Sequence, residues 1–532
     1  AMWSTLDSKC DSGACEGGED GVRRVWYCSY GSNMMEQRFF AYIRGGSVPG
    51  LCSLGDDPAG VASGRVHRGC SDTSIPQQTL PVAFPTPLMF AGHSRYWKAA
   101  PVHLDVAALD GSERARRLLV GNSLGPAWAD EEAKRQLEEQ NCGGYALGRA
   151  YLITEEQFWQ VVEQENYANA LTEQQSLRDH LAGELAESGK QRLIENAAAG
   201  YDHLLFFGYH AGYPMVSFSG SRSKEHLAGP NAPYLNTLVQ GLRETYHMDG
   251  DAITEYLADT AGMSATLQRP ELAKVVEDCL VAVEKENSER LVWYSSYGSN
   301  MWRERFMCYI QGGSPRGSSS VQRGAVDKTP PRSTRPICYK KEVFFGRTHP
   351  FWNAATCYLN VYDGEGCDGE VDAEEYLIVG NELGGDCWDN DKKQEIARRM
   401  AEGEPMGFGR MYLITEEQFL EVLRQENHEQ CVDVDFPQAA SRLVTCLDPT
   451  SYYGDLVSLG MVEGHPVFSF TGLNMAEEHG QKPSVPYIRT IVRGLRDTFH
   501  MANDEILEYL ACLRGIKGNY SPEELAPVVD VE

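Results

Sequence analysis

The 532-residue sequence predicts a mixed α/β protein built from one domain repeated in tandem. Three recurrences predict it. The stretch Trp26-Tyr27-Cys28-Ser29-Tyr30-Gly31-Ser32-Asn33-Met34 returns as Trp293-Tyr294-Ser295-Ser296-Tyr297-Gly298-Ser299-Asn300-Met301. The block from Gly148 to Phe158 returns from Gly409 to Phe419, and a late Tyr234…Gly241-Leu242-Arg243 pattern returns as Tyr487…Gly494-Leu495-Arg496. The offset between copies drifts from 267 residues at Tyr30/Tyr297 to 252 at Pro270/Pro522, a period far too long for a solenoid. The expected organisation is a disordered tail over 1–22, a first domain over 23–270, a helix and linker over 271–289, and a second domain over 290–532.

Taken in order, each copy opens on a β-branched and aromatic run, Val25 to Tyr27 and Val292 to Tyr294, which reads as a buried strand. The Gly-Ser-Asn turn then leads into a helical pattern carrying Arg38, Phe39, Tyr42 and Ile43, matched by Arg305, Phe306, Tyr309 and Ile310. A strand, a glycine turn and a helix start leave several backbone N–H groups unpaired and aimed one way, an arrangement that favours an anion. Long Gly/Ser/Pro-rich connections follow, to about Pro87 and Pro336. Leu88 to Gly92, Leu118 to Val120 and their counterparts Val343 to Gly346 and Leu377 to Val379 read as sheet strands. The Gly148–Phe158 block is a strand ending at Ile153, with Thr154 and Gln157 at capping-box spacing for the next helix. That helix closes on Gln164-Glu165-Asn166, and its twin on Gln425-Glu426-Asn427. A β-hairpin from Phe206 to Gly220, mirrored from Val457 to Gly472, precedes the Tyr234 and Tyr487 helices.

Composition bounds the function. A net charge of −28 argues against a nucleic-acid backbone as partner, which needs clustered Lys and Arg. No apolar run approaches the roughly 20 residues that span a bilayer, and the first twenty residues lack the apolar stretch of a signal peptide. Fifteen cysteines, mostly without a counterpart in the other copy and without CxxC pairs, point to reduced thiols in a cytoplasmic protein.

The ordered triple of Tyr-Gly-Ser-Asn, Gln-Glu at a helix end and Pro-Tyr-x6-Gly-Leu-Arg resembles the γ-glutamylcyclotransferase-like (AIG2-like) family. The resemblance covers most of each half. It implies a mixed, partly closed sheet with outer helices and a γ-glutamyl amide as substrate, cleaved by its own α-amine to 5-oxoproline and an amine or amino acid. It makes Glu165 and Glu426 the catalytic residues. Tyr30, Gly31, Ser32, Asn33 and Tyr234 would bind substrate in the first copy, and Tyr297, Gly298, Ser299, Asn300 and Tyr487 in the second. No metal or organic cofactor is implied; the two lobes are expected to pack as a pseudo-dimer. Three departures stand out. The tyrosine-to-glutamate spacing is long, 135 and 129 residues; asparagine follows each glutamate where the family has glycine; and the domain is doubled.

The chemistry is consistent with these residue types. Aminolysis of an amide needs an unprotonated amine, so a carboxylate in reach must take one proton and pass it to the leaving nitrogen. A ligand-binding protein with a degenerate pocket, and a hydrolase or acyltransferase using an external nucleophile, are the alternatives. Glu163 near Glu165 has Arg424 as its counterpart, so a carboxylate pair is not general to both copies. His226 and His479, and His247 and His500, recur without ligand spacing and read as caps or surface contacts. Arg38 and Arg305 fit either a substrate carboxylate or a structural ion pair, and Trp97 and Trp352 fit a pocket wall or core packing.

Overall fold

The computed structural model describes residues 3–5, 21–46, 67–94, 96–109, 118–125, 144–166, 176–182, 185, 188–193, 200–221, 226–316, 321–349, 352–362, 371–381, 387–472 and 480–530. They divide into two compact units. One holds residues up to Lys285 with Glu429–Cys431, and the other holds Glu286–His428 with Val432 onward.

In the first unit the strands are β1 (Trp3–Thr5), β2 (Arg24–Ser29), β3 (Thr79–Phe84), β4 (Leu88–Phe90), β5 (Val102–Leu104), β6 (Leu119–Gly121), β7 (Ala146–Thr154), β8 (Lys190–Arg192), β9 (His203–His210) and β10 (Tyr213–Ser219). The main sheet runs β1-β6-β3-β7-β2-β10-β9-β8. In the second unit they are β11 (Leu291–Ser296), β12 (Ser333–Tyr339), β13 (Val343–His349), β14 (Ala354–Leu359), β15 (Leu377–Val379), β16 (Gly407–Thr415), β17 (Val444–Cys446), β18 (Asp455–Val462) and β19 (His465–Thr471). That sheet runs β15-β12-β16-β11-β19-β18-β17, which is the first order element for element without β1. The fold is mixed α/β and occurs twice. Each sheet is mixed because the opening strand pairs antiparallel with β7 or β16 on one side and parallel with β10 or β19 on the other.

Two details differ from expectation. Trp3–Thr5, inside the stretch expected to be a disordered tail, pairs with Leu119–Gly121 because β6 would otherwise present an open edge; residues 6–20 lie outside the described residues. The Leu88 and Val343 runs do not join the main sheets. They form separate ladders, β4 with β5 and β13 with β14. Parts of the Gly/Ser/Pro-rich connections, 47–66 and 317–320, also lie outside the described residues.

Each opening strand is buried in the middle of its sheet. Trp26 and Trp293 are fully buried, and their indole N–H groups donate to the His210 and Val462 carbonyls at 3.1 Å. The helices Glu155–Glu165 and Glu416–Glu426 both start on the expected capping box: Gln157 N donates to Thr154 Oγ1 and Thr154 N to Gln157 Oε1, with the same pair at Thr415 and Gln418. His247 and His500 end the helices Ala232–Tyr246 and Val485–Phe499 in left-handed conformations, φ 51° and 55°, so they are helix caps. The described cysteines are all free. No helix among the described residues is long and apolar enough to cross a membrane.

Candidate functional site

The opening strand ends one residue before Tyr30 or Tyr297, and Gly31 or Gly298 starts a single 3-10 turn, Ser32–Met34 or Ser299–Met301. Its first hydrogen bonds are given by Met34 N to Gly31 O and Met301 N to Gly298 O. The N–H groups of the preceding three residues are therefore the start-of-helix donors that the turn does not use. A Cβ at Gly298 would lie 3.1 Å from Tyr487 Oη, and one at Gly31 would lie 3.1 Å from Val102 Cγ1. Glycine keeps that wall thin.

The turn is held from below by the Gly-Arg-x-Tyr strand. Tyr151 Oη donates to Asn33 O at 3.0 Å, and Tyr412 Oη to Asn300 O at 2.9 Å. Arg149 Nη1 reaches Met34 O and Arg410 Nη1 reaches Met301 O, while both guanidiniums are neutralised, Arg149 by Glu36 and Glu244 and Arg410 by Asp497. From behind, the late helix packs on the same turn. A Cβ at Gly241 would meet Met34 Cβ at 2.5 Å, and one at Gly494 would meet Met301 Cβ at 2.7 Å, so only glycine allows that approach.

The glutamates arrive from the far end of the capped helix. Asn33 Nδ2 donates to Glu165 Oε1 at 2.9 Å and to Tyr27 Oη at 3.2 Å; Asn300 Nδ2 donates to Glu426 Oε1 at 2.9 Å and to Tyr294 Oη at 3.1 Å. The turn and the glutamate, 132 and 126 residues apart in the chain, thus meet identically in both units. Both carboxylates are half-buried. The glutamine before each one fixes the helix end, since Gln164 Nε2 donates to Tyr42 O and Gln425 Nε2 to Tyr309 O. The asparagine after each is also structural. Asn166 exchanges two hydrogen bonds with the Tyr201 backbone and Asn427 two with the Tyr453 backbone. Glu163 turns away to pair with Arg68.

In the second unit a narrow pocket is lined by Tyr297, Gly298, Ser299, Asn300, Glu426 and Tyr487, together with Tyr294 and Tyr453. A second, larger pocket shares Ser299, Glu426, Tyr453 and Tyr487 with it and extends to Arg305, His349, Trp352 and His428. The predicted residues therefore converge, though not all in the same way. Tyr30 and Tyr297 point their hydroxyls to the Phe218 and Phe470 carbonyls, and Tyr234 and Tyr487 accept the Val102 and Cys357 N–H groups. These four phenols are committed to protein partners. Burial, and after it Glu426, pushes the Tyr294 phenol well above its ordinary range; burial, and the same carboxylate among smaller causes, does so for Tyr309, Tyr453 and Tyr487. The phenols around Glu426 stay protonated.

Tyr201 and Tyr453 were not foreseen. Their phenols lie near Glu165 and Glu426, yet their flanks differ, Gly200 and Asp202 against Tyr452 and Gly454, so only their 252-residue offset could have marked them. The ion-pair reading of Arg38 and Arg305 is not realised among the described residues. Arg38 Nη2 donates to Tyr42 Oη, and Arg305 donates to Ser299 Oγ and Tyr309 Oη. His226 approaches no metal cluster among the described residues, and His479 lies outside them.

No family model matches the chain. Histone deacetylase 5 of Arabidopsis thaliana is 31% identical over 235 residues, which is 41% of this chain and 30% of that protein; the chain thus spans under a third of that relative's length. Two solved structures, one titled gamma-glutamyl cyclotransferase and one of the uncharacterized protein loc79017 from Homo sapiens, each align at 12% identity. Each alignment covers 45% of this chain and 98% of the other, with a TM-score of 0.22.

Proposed function

We propose that each unit is an amide-cleaving enzyme of the γ-glutamylcyclotransferase type, with Glu165 and Glu426 as the proton-transferring groups. One observation carries the reading: in both units the turn asparagine donates to the glutamate carboxylate at 2.9 Å, beside the unused N–H groups of the turn. An anion acceptor and a base then stand next to each other, which suits a substrate carrying a carboxylate and an α-amine on one carbon. The carboxylate lies against the turn N–H groups of Gly31 to Asn33, or Gly298 to Asn300. The amine faces the glutamate.

The step balances without water or cofactor. The α-amine nitrogen attacks the γ-carbonyl carbon, and the glutamate takes a proton from that nitrogen. The C–N amide bond then breaks, the leaving nitrogen takes the proton back, and the products are 5-oxoproline and a free amine. Both reacting groups belong to one substrate, so holding it folded provides much of the acceleration. The neutral phenols around the carboxylate do not compete with it for the proton.

The test is a panel of γ-glutamyl amides incubated with the full chain, with products read by mass spectrometry. Release of 5-oxoproline with the amine supports the reading. Release of glutamate instead identifies an external water nucleophile and a hydrolase, and no release from any γ-glutamyl amide removes the assignment.

A further inference from the structure

The first unit has a basic pocket that shares no residue with the turn or with Glu165. It is formed by the start of β2, the start of the helix Glu155–Glu165, the helix Leu177–Leu181 and the β9–β10 hairpin. The helix Glu155–Glu165 is about 15 Å long and puts this pocket at the end opposite Glu165. Its charged lining is three guanidiniums, Arg23, Arg24 and Arg178, against one carboxylate, Glu155. That carboxylate is already engaged: Oε1 accepts from Leu177 N, and Oε2 pairs with Arg23 Nε at 3.3 Å. The Arg178 side chain is exposed and makes no ion pair or hydrogen bond among the described residues. Asp179 beside it accepts from Ser176 Oγ instead, at 3.0 Å. The rest of the wall is largely apolar, with Val25 and Leu177 buried and Leu181 and Pro214 partly exposed.

The second unit shows which of these cations the fold needs. Arg23 and Glu155 recur as Arg290 and Glu416, and in both units the glutamate N–H donates to the arginine carbonyl, at 2.9 Å and 3.1 Å. That pair belongs to the repeated framework. Arg24 and Arg178 do not: Leu291 stands where β2 has Arg24, and the matching five-residue helix Phe436–Ala440 has Pro437 where Leu177–Leu181 has Arg178. The same sheet order forms without them, so two guanidiniums have been added to one copy only, over an apolar wall, in a chain of net charge −28. We propose that this pocket binds a small organic anion, a carboxylate or phosphate carried on an apolar chain or ring, with Arg24 and Arg178 on the head group and Leu181 and Pro214 against the apolar body. A guanidinium presents paired N–H donors that match either head group. The apolar part gains by leaving water. A concave wall suits a small ligand, and the net charge of the chain repels an extended polyanion. The site is independent of the proposed amide cleavage and stands or falls without it.

Calorimetry on the full chain with octanoate, butanoate, octanol and octyl phosphate tests this. Octanoate should bind roughly 10-fold tighter than butanoate, which is four methylenes shorter, and roughly 10-fold tighter than octanol, which lacks the charge. Arg24→Gln with Arg178→Gln should bring octanoate down to the level of octanol, and Leu181→Ser should narrow the gap between octanoate and butanoate. Tighter binding of octyl phosphate than of octanoate would name a phosphate head group, the reverse a carboxylate, and equal binding a pocket that takes both. Equal binding of octanoate and octanol, or of octanoate and butanoate, overturns the inference. So does octanoate binding that the two arginine substitutions leave intact, since the anion would then sit elsewhere, as on the turn. Binding of neither octyl anion overturns it as well. Should Arg24→Gln disturb β2, Arg178→Gln alone decides, because that exposed side chain holds nothing in the described fold.

Discussion

Asn300 Nδ2 is shared between Glu426 and Tyr294, as Asn33 Nδ2 is between Glu165 and Tyr27, so each asparagine sets where a carboxylate oxygen sits. Asn33→Ala with Asn300→Ala should lower turnover by roughly 10²-fold, the cost of letting a reacting group drift by about an ångström. Circular dichroism should be nearly unchanged. Full activity in a folded double variant would mean the carboxylate needs no such positioning. A second residue-scale effect concerns stability. His349 is depressed to about 4 in the fold, mainly by burial, whereas the unfolded chain titrates near 6.5. The unfolded state therefore takes up the proton first as pH falls. The stability present above pH 6.5 should be lost progressively between about 6.5 and 4, and His349→Gln should flatten that slope in denaturant titrations followed across pH. An unchanged slope would contradict it.

Elements explain why the three motifs travel together. The Gly-Arg-x-Tyr strand holds the turn's carbonyls, the Gln-Glu helix brings the glutamate to the turn asparagine, and the Gly-Leu-Arg helix backs onto the turn through Gly241 or Gly494. Tyr412→Phe removes one hydrogen bond to Asn300 O and should cost about 1 kcal/mol, read as a lower denaturation midpoint. Gly494→Ala forces a Cβ to within 2.7 Å of Met301 Cβ and should cost about 1–3 kcal/mol by overpacking, and also reduce second-unit turnover by shifting the turn. If Gly494→Ala leaves the midpoint unchanged, that helix does not brace the turn. Much of this was legible in the sequence because it is local or recurrent. The capping box at Thr154 and Gln157 shows in the spacing of three residues, and the turn shows because it occurs twice. The meeting of Asn33 with Glu165 could be inferred only from resemblance, since no local rule joins residues 132 apart. Tyr201 and Tyr453 escaped because the asparagine hydrogen bonds that place them are between backbone and side chain, leaving no pattern around the tyrosines. The Leu88 and Val343 runs were legible as strands but their partners β5 and β14 were not, because a short apolar run does not say which sheet it joins.

At the scale of the whole molecule, one sheet order and one Asn–Glu contact occur in both units, while the lining beyond the glutamate differs. His349 has Ser94 as its counterpart by the offset that relates Trp352 to Trp97. The units therefore share the Asn–Glu contact and differ at one position beside it, a buried histidine in the second and a serine in the first. The measurement that bears most directly on this account is 5-oxoproline release by the full chain with Glu165→Gln, with Glu426→Gln, and with both. Each single variant should retain the other unit's share of turnover, and the double variant should lose roughly 10²–10⁴-fold of the total while remaining folded. One silent and one inactive single variant would assign the chemistry to a single unit. A double variant that turns over at the unmodified rate would contradict the account, because the carboxylates beside Asn33 and Asn300 would then be structural.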